Sequence, residues 1–337
     1  MNTFTRISVV AAVAVLLSSV SFAAPGDITW TDDTANNPVI GPPGFGDNRA
    51  YYGHVIFDET ANIWRAWFDS SSGFDVGYAE STNADGTSWT NYALVTGFNS
   101  DRQSKAVVVQ TGDSQFRMWY TANTRDGGYP IWTAVSSNGV SWSDDKPVTG
   151  IALDEEGTSR FGPVERISVT QLEDGSFVAY CRCEEPYLDE AFDWFDLGKK
   201  LFRYTSANGV DWQWTGYTGV NEDEGFEGVE FSSVVKHPDR EGVWYAWATS
   251  QNSSGPIYSY ISTDDGLTYQ LDENPVAVVG EIGTASYNAD RNYHASVTYR
   301  GNGQWVMFRS VAEPKRTARA TGVEDVPNTS VSHWSLF

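Results

Sequence analysis

Cysteine is scarce in this chain of 337 residues, which contains only Cys181 and Cys183. One residue separates the two, and so short a ring cannot close with acceptable disulfide geometry. A disulfide scaffold is therefore excluded. The fold must be held by its core instead, and 14 Trp, 17 Tyr and 17 Phe provide apolar area for it.

Basic residues and long apolar runs are also scarce. The chain has 22 Lys and Arg against 44 Asp and Glu, a net charge of -22, and a surface of this sign repels nucleic acid and anionic membranes. Beyond the N-terminal segment no stretch approaches the roughly 20 apolar residues that a membrane span needs. We therefore expect no nucleic-acid partner, no membrane insertion and a monomeric protein.

The one apolar run lies near the N-terminus, from Ile7 to Val20, and Ser21, Phe22 and the small residues Ala23 and Ala24 follow it. A basic residue, a short apolar run and small residues in this order are typical of a cleaved secretory signal. We predict that residues 1–23 are a signal peptide and that residues 24–337 form a single domain. The protein is then secreted or periplasmic.

A pair of aromatic residues three positions apart recurs five times within short β-prone runs. The pairs are Trp64 and Trp67, Phe116 and Trp119, Phe177 and Tyr180, Trp244 and Trp247, and Trp305 and Phe308. A second β-rich run precedes each pair across a short polar turn, which is the pattern of a β-hairpin. Repetition at this spacing indicates a repeat architecture.

A third run follows each of the first four pairs and ends in a turn containing Asn-Gly or Asp-Gly. The turn glycines and the aromatic residues after them are Gly86 and Trp89, Gly139 and Trp142, Gly209 and Trp212, and Gly266 and Tyr269. These turns supply the positive φ that tight hairpins demand, and each aromatic residue starts a fourth strand. Each unit is thus a four-stranded meander.

The fifth unit has no fourth strand after it, whereas residues 27–39 near the N-terminus resemble the fourth strands of other units. Complementary ends of this kind are expected when a ring of sheets closes by pairing its two termini. The sequence predicts an all-β, five-bladed β-propeller of four-stranded antiparallel blades, closed by the N-terminal strand joining the last blade. An open stack of sheets or a duplicated β-sandwich would leave the complementary ends unexplained.

The first strand of each propeller blade lines the central channel, so ligands can meet several blades where these strands begin. Counting back from each aromatic pair places polar residues at this end, and they are Asp47, Arg49, Tyr52, His54, Asp101, Arg102, Ser104, Glu165, Glu227, Glu230, Asp290, Arg291, Tyr293 and His294. Carboxyl groups held near one another and near arginines have separated pKa values, which suits acid–base catalysis. A wet channel also attracts polar residues without any catalytic role.

Glycoside hydrolysis is a reaction that such a cluster can perform, because it needs one carboxylic acid and one carboxylate. We take Glu165, Asp101, Glu230 and Asp47 as catalytic candidates. The remaining members of the set, apart from Ser104, are candidates for substrate binding. Two histidines without a nearby Cys or acid at ligand spacing do not indicate zinc, so no metal ligands are predicted.

The five units, the aromatic second strands and the Ser-x-Asp-Gly-x-x-Trp-like turns resemble the five-bladed glycosidases of glycoside hydrolase family 43, with relatives in families 32, 68 and 117. The resemblance implies an Asp base on blade one, a tuning Asp on blade two and a Glu acid on blade three. Glu165 corresponds to the acid, and Asp101 lies near the second position. Blade one has Tyr52 where the base is implied, with Asp47 upstream.

The same resemblance implies that His294 lies by a central water or calcium site, so a structural calcium ion is the one cofactor it suggests, and none is required for catalysis. The leading hypothesis is a secreted glycoside hydrolase with an oligo- or polysaccharide substrate. A propeller that binds a glycan or another ligand without cleaving it is the alternative. A scaffolding protein of the periplasm or envelope is a third option, which no positive feature supports.

Overall fold

The computed structural model describes most of the chain between residues 28 and 324. The described ranges are 28–33, 35–37, 39–41, 43–46, 49–70, 75–99, 103–122, 131–151, 164, 166–184, 199–221, 229–250, 257–271, 292–311 and 316–324. The predicted signal peptide and the C-terminal residues 325–337 lie outside these ranges.

Twenty strands form five four-stranded antiparallel sheets, which we number as blades in chain order. Blade one contains β2 (Tyr51–Asp58), β3 (Ile63–Asp69), β4 (Val76–Ser81) and β5 (Thr90–Leu94). Blade two contains β6 (Gln103–Gly112), β7 (Gln115–Ala122), β8 (Ile131–Ser136) and β9 (Trp142–Pro147). Blade three contains β10 (Ile167–Gln171), β11 (Phe177–Glu184), β12 (Lys199–Ser206) and β13 (Gln213–Asn221).

Blades four and five follow the same order, except that the outer strand of blade five comes from the N-terminus. Blade four contains β14 (Val229–Lys236), β15 (Trp244–Ser250), β16 (Ile257–Ser262) and β17 (Gln270–Leu271). Blade five contains β18 (Asn292–Tyr299), β19 (Gln304–Val311), β20 (Arg316–Glu324) and β1 (Ile28–Asp32). Strand β1 pairs with β20, and Trp30 lies opposite Gly322, which also faces Trp305 of β19.

The first strands of the blades form a closed circle, in which β2 contacts β6 and β18, and β10 contacts β6 and β14. Strand β14 in turn contacts β18, which completes the circle. The expected all-β propeller with its terminal strand exchange is therefore confirmed, and the inner strands surround a central axis.

Side chains of the inner strands also bond across neighbouring blades. The Val55 N–H donates to Ser296 Oγ over 2.9 Å, which joins blades one and five. The hydroxyl of Thr170 donates to the Val234 carbonyl over 2.7 Å, and the Ala295 N–H donates to Ser232 Oγ over 3.0 Å. These bonds hold the inner strands at fixed heights around the axis.

The aromatic pairs of the repeat form the core between blades. Among the residues that the structure describes, six tryptophans are fully buried, and they are Trp64, Trp67, Trp119, Trp244, Trp247 and Trp305. Burial of one large apolar side chain is worth about 1.5–3 kcal/mol, so these rings are a main source of stability. The expectation that aromatic residues form the core that holds the fold is confirmed.

In blades one, two and three the second aromatic residue of the pair is also bonded to the turn glycine of the next blade. The indole N–H of Trp67 donates to the Gly139 carbonyl over 2.7 Å, and that of Trp119 donates to the Gly209 carbonyl over 2.8 Å. The hydroxyl of Tyr180 makes the same bond to the Gly266 carbonyl over 2.8 Å. The contact between turn and ring thus has the same geometry in these three blades, and it sets the spacing between each of them and the next blade.

Within the described part of the chain, no helix combines the length and the apolar character that crossing a membrane requires.

Gly139 tests the contact between turn and ring, because its φ is +78° and a Cβ there would lie 2.9 Å from Trp67 Cζ2. We expect Gly139→Ala to lower the free energy of unfolding by about 2–5 kcal/mol, of which about 1–2 kcal/mol is the cost of the left-handed backbone. Urea unfolding followed by tryptophan fluorescence measures the change.

Gly175→Ala is the matched control, because Gly175 has a φ of +85° and no atom within 4 Å of the added Cβ. Only the backbone cost of about 1–2 kcal/mol applies there. Equal losses in the two variants would show that the ring does not constrain the turn.

Candidate active site

The candidate site lies at the end of the axis where the inner strands begin, which we call the axial mouth. The pairing of inner and second strands defines one row of opposed residues around it. The pairs are Tyr51 with Asp69, Ser104 with Thr121, Glu230 with Thr249, and Tyr293 with Ser310. In blade three the described pairing ends one residue before this row, at Ile167 with Cys181.

Of the residues counted from the sequence, Ser104, Glu230 and Tyr293 lie in this row, and the count was wrong by one residue in blade one. Blade one contributes Tyr51 rather than Tyr52, because the hairpin between Phe57 and Trp64 is one residue longer than that of blade two. The predicted place of Glu165 in blade three stays a prediction, because Glu165 is outside the described ranges.

Four inner strands contain bulges in their pairing with the second strands, and three of these bulges place a residue other than glycine in the left-handed region. The φ angles are 52° for Tyr52, 55° for Lys105 and 21° for His294. A bulge turns side chains away from the regular alternation of a strand, and strained residues of this kind concentrate at functional sites. The mouth is therefore the part of the inner strands where the backbone departs most from regular pairing.

Asp69 is a buried carboxyl group at the mouth, only 3% exposed at the end of β3. The Lys105 N–H donates to Asp69 Oδ1 over 3.0 Å. Burial raises the pKa of Asp69 to about 7, although the hydrogen bond and the charges of Arg166 and Lys105 act in the opposite direction. This carboxyl group can therefore gain or lose a proton near neutral pH.

Two cations surround the ring of Tyr52. The guanidinium carbon of Arg166 lies 4.5 Å from the ring centroid and Lys105 Nζ lies 5.7 Å from it, both within cation–π range. The imidazole of His294 lies 6.5 Å from the same centroid. Because blades one and three are not neighbours, Arg166 extends across the axis to reach Tyr52, and the group joins four blades.

The two predicted histidines are present beside the axis as neutral, bonded side chains. The Val108 N–H donates to His54 Nδ1 over 3.2 Å, and burial lowers the pKa of His54 to about 4, so its proton is on Nε2. Burial, followed by the charge of Arg166, holds the pKa of His294 well below its ordinary value. Nδ1 of His294 lies 3.0 Å from the Gly53 carbonyl. Both rings link neighbouring blades.

A calcium ion does not fit the described residues around His294. Its ring makes hydrogen bonds to the backbone of Gly53 and Ser232, while calcium takes six to eight oxygen ligands. Among the residues that the structure describes, no three His, Cys, Asp or Glu side chains are grouped so that they could hold a metal.

Several predicted site residues are outside the described ranges, namely Asp47, Asp101, Arg102, Glu165, Glu227, Asp290 and Arg291. Glu230 and Tyr293 have described backbones within β14 and β18, but not described side chains. Arg49 is half-buried, and its N–H donates to the Ser70 carbonyl over 3.4 Å, next to Asp69. The roles assigned to all of these residues stay predictions.

Asp69, Lys105, Arg166 and Arg182 were missed from the sequence, although a signal for two of them was present. The fifth residue after the first aromatic of each pair is polar in every blade, and this column contains Asp69, Thr121, Arg182, Thr249 and Ser310. A polar column within otherwise apolar second strands marks the end that faces the mouth. Lys105 and Arg166 depend on bulge positions, which the repeat does not reveal.

A cavity of about 1000 Å³ occupies the other part of the channel. Inner-strand residues such as Val55, Val169 and Val297 line it, and charged residues such as Lys236 and Asp239 lie at its rim. Asp239 accepts a hydrogen bond from the Tyr299 hydroxyl over 2.7 Å. Of the predicted site residues whose side chains the structure describes, only His54 borders this cavity, so among them the mouth and the cavity are separate features of one channel.

The chain is a five-bladed propeller with a candidate site on its axis. Solved glycoside hydrolases share this fold. A glycosyl hydrolase from Bacteroides ovatus is 13% identical with a TM-score of 0.59, covering 89% of this chain and 94% of its own. The GH43_1 enzyme from Xanthomonas citri, complexed with xylose, is 15% identical with a TM-score of 0.55, covering 81% and 86%.

A structure from work on glycoside hydrolase family 130 is also similar, at 14% identity and a TM-score of 0.59, covering 89% of this chain and 94% of its own. That work describes glycoside hydrolases that target β-1,2 mannosidic linkages in Candida mannan. No protein-family model and no curated protein sequence matches the chain. At identities this low, the structural similarity shows a common fold alone. It confirms the expected likeness to propeller glycosidases at the level of the fold.

Asp69 makes the stability of the protein depend on pH. Its pKa is raised from 3.8 to about 7 by folding, so the folded state holds the proton more tightly and stability is lost as pH rises from about 4 to 7. Asp69→Asn keeps an acceptor for the Lys105 N–H and removes the titration. We expect the variant to be more stable than the wild type at pH 8, by at most about 4 kcal/mol.

Thermal unfolding at pH 5 and pH 8 measures this effect. Asp75→Asn, an exposed change in the same blade, is the control and should follow the wild type at both values. If Asp69→Asn shows the same difference between pH 5 and pH 8 as the wild type, then Asp69 does not titrate in this range.

Proposed function

We propose that the protein is an exported glycoside hydrolase that cleaves an oligo- or polysaccharide at the axial mouth. The observation that carries the proposal is the group formed by Asp69, Lys105, Arg166 and Tyr52. It brings a carboxyl group that titrates near neutrality, two cations and an aromatic ring to one end of the axis. The fold shared with solved glycoside hydrolases supports the same function.

The proposed proton donor is Glu165, and its partner is one of Asp101, Glu230 and Asp47. Their neighbours along the chain support this choice. Arg166 directly follows Glu165, and consecutive Cα atoms are about 3.8 Å apart. The backbone of Glu230 lies in the row around the mouth, opposite Thr249. Residues of blades three and four can therefore approach one substrate.

In the proposed reaction the acid protonates the leaving glycosidic oxygen while the partner carboxylate activates water or attacks the anomeric carbon. The charge of Arg166 favours the ionised form of a nearby carboxylate, and burial favours the protonated form of another, so the two roles separate at one pH. The resemblance to family 43 implies a carboxyl group on the first strand of blade one. Asp69, opposite Tyr51 on the second strand, supplies one there.

The proposal includes export through residues 1–23 as a signal peptide, a saccharide as the partner, a monomeric protein and no required cofactor. The net charge of -22 is consistent with a protein that is exported and meets its substrate outside the cytoplasm. Mass spectrometry of the protein recovered after export measures the mature N-terminus, which should be Ala24.

A second candidate function is glycan binding without cleavage. The observation that favours it is the pair Tyr51 and Tyr52 at the start of blade one, with ring centroids 4.3 Å apart, where the resemblance implies a catalytic Asp. Aromatic rings can bind the flat faces of sugars without any chemical step. The two functions differ in whether reducing ends appear.

The test is hydrolysis of arabino-, xylo-, galacto- and fructo-oligosaccharides by the wild type and by Glu165→Gln. We expect reducing ends from at least one substrate with the wild type. In the variant kcat should fall about 10²–10⁴-fold, because general acid catalysis contributes that much, while KM changes little.

Glu173→Gln is the matched control, because Glu173 lies in the same blade but borders the cavity in the other part of the channel. It should retain wild-type kcat. If the wild type binds these oligosaccharides without releasing reducing ends, the proposed hydrolase function is wrong, and glycan binding without cleavage replaces it.

A further inference from the structure

The cavity at the end of the axis opposite the mouth has no role in the proposed reaction. Its volume is about 1000 Å³, at the upper end of the range of about 300–1000 Å³ for pockets that bind small molecules. All five blades contribute to its wall, through the ends of the inner strands and the turns that follow them. The wall is regular enough to be described as three rows of residues.

The strand pairing places one residue of each blade in each row, and all of these residues line the cavity. The deepest row contains only valine, and its members are Val55, Val108, Val169, Val234 and Val297. The middle row consists of Ile56, Val109, Thr170, Val235 and Thr298. The outer row, opposite the first aromatic residue of each pair, consists of Phe57, Gln110, Gln171, Lys236 and Tyr299.

The deepest and middle rows make the inner part of the cavity apolar. Their two hydroxyl groups already bond to backbone carbonyls, that of Thr170 to Val234 over 2.7 Å and that of Thr298 to Val55 over 3.5 Å. A water molecule there finds few of the two to four polar partners that it needs, so an apolar group displaces it with a gain in affinity. Neighbouring rows are about 3.3 Å apart, so the three rows span about 7 Å of depth.

The outer row supplies hydrogen-bond acceptors. Gln110 Nε2 donates to Asp58 Oδ1 over 3.1 Å, and Gln171 Nε2 donates to the Gly175 carbonyl over 3.3 Å. Because these acceptors fix the amide nitrogens, the side-chain carbonyl oxygens of both glutamines are left as acceptors on two adjacent blades. A ligand that enters the cavity can therefore bond to this row through a hydroxyl group that donates.

Charges of both signs lie around the outer row. Among the lining residues that the structure describes, they belong to Glu173, Lys236, Asp239, Arg240 and Glu241. An ion of either sign would approach a charge like its own and would lose its hydration to the apolar rows. The wall of the cavity therefore favours a ligand without charge.

We propose that this cavity binds an uncharged alcohol with an apolar body, such as a saturated or aromatic ring that bears a hydroxyl group. The apolar body contacts the deepest and middle rows, and the hydroxyl group donates to the side-chain carbonyl of Gln110 or Gln171. The protein then has a second ligand, of a different chemical class from a saccharide. Because the cavity is separate from the mouth, the inference does not rest on the proposed hydrolysis.

Three molecules with a six-membered ring test the inference. Cyclohexanol has the apolar body and a hydroxyl group, glucose has hydroxyl groups without the apolar body, and cyclohexanecarboxylate has the apolar body with a charge. NMR of valine methyl groups measures binding at this site, because signals of the deepest row should shift while Val76, on β4 and outside the cavity, should not. We expect a Kd of about 1 mM for cyclohexanol, and values at least about 10-fold higher for the other two.

Thr298→Phe should weaken the binding of cyclohexanol at least about 10-fold, because Thr298 is half-buried in the middle row and a phenyl ring there takes the space of the ligand. Thr90→Phe is the matched control, since Thr90 is exposed on the outer strand of blade one, and it should leave the affinity unchanged. Val235→Thr preserves the shape of the middle row and adds a hydroxyl group, so we expect about 3- to 10-fold weaker binding.

Three results would overturn the inference: the deepest row does not respond to cyclohexanol, it responds to glucose or cyclohexanecarboxylate at a lower concentration than to cyclohexanol, or Thr298→Phe binds cyclohexanol as tightly as the wild type. If Thr298→Phe does not fold, Val235→Thr decides, and an unchanged affinity in that variant would overturn the inference. Hydrolysis of oligosaccharides is measured separately, so a failure of either proposal leaves the other standing.

Discussion

The pairing of β1 with β20 is the constraint on which the rest of the structure depends. Without β1, blade five would have three strands and an unpaired edge, and nothing would join residues near 30 to those near 320. An unpaired edge exposes a row of hydrogen-bonding groups. Because the N-terminal strand fills it, the inner strands of five blades meet around one axis, and side chains from distant parts of the sequence can share a site.

Given the closed ring, the contacts between neighbouring blades determine the geometry of the mouth. Trp67, Trp119 and Tyr180 each bond to a turn glycine in the following blade, and bonds such as that from Val55 to Ser296 fix the inner strands. The bulges at Tyr52, Lys105 and His294 then turn side chains toward the axis. The regularly paired part of each blade makes the structure rigid, and the bulged part positions the side chains of the candidate site.

Much of this fold could be predicted from the sequence, because its causes repeat. The aromatic pairs recur where the core needs rings, and Gly86, Gly139, Gly209 and Gly266 recur where the backbone needs positive φ. The orphan strand near Trp30 indicated the closure. Each of these signals is local in sequence or appears several times, so an error in one copy does not change the conclusion.

The site was less predictable, because it depends on single insertions. One extra residue in the hairpin of blade one moves the row from Tyr52 to Tyr51. A shift of one residue turns a side chain to the other face of a strand. Asp69 and Arg182 were missed for a different reason. They lie at the ends of second strands, whereas the site residues were sought only where the first strands begin.

The central claim is that the mouth formed by the starts of the inner strands is where the protein meets its ligand. The most direct measurement is a crystal structure of the protein with a bound saccharide. We predict electron density for the sugar beside Tyr52, Asp69 and Arg166. A sugar bound in the other part of the channel, near Lys236 and Asp239, or on the outer strands of the blades, would contradict it.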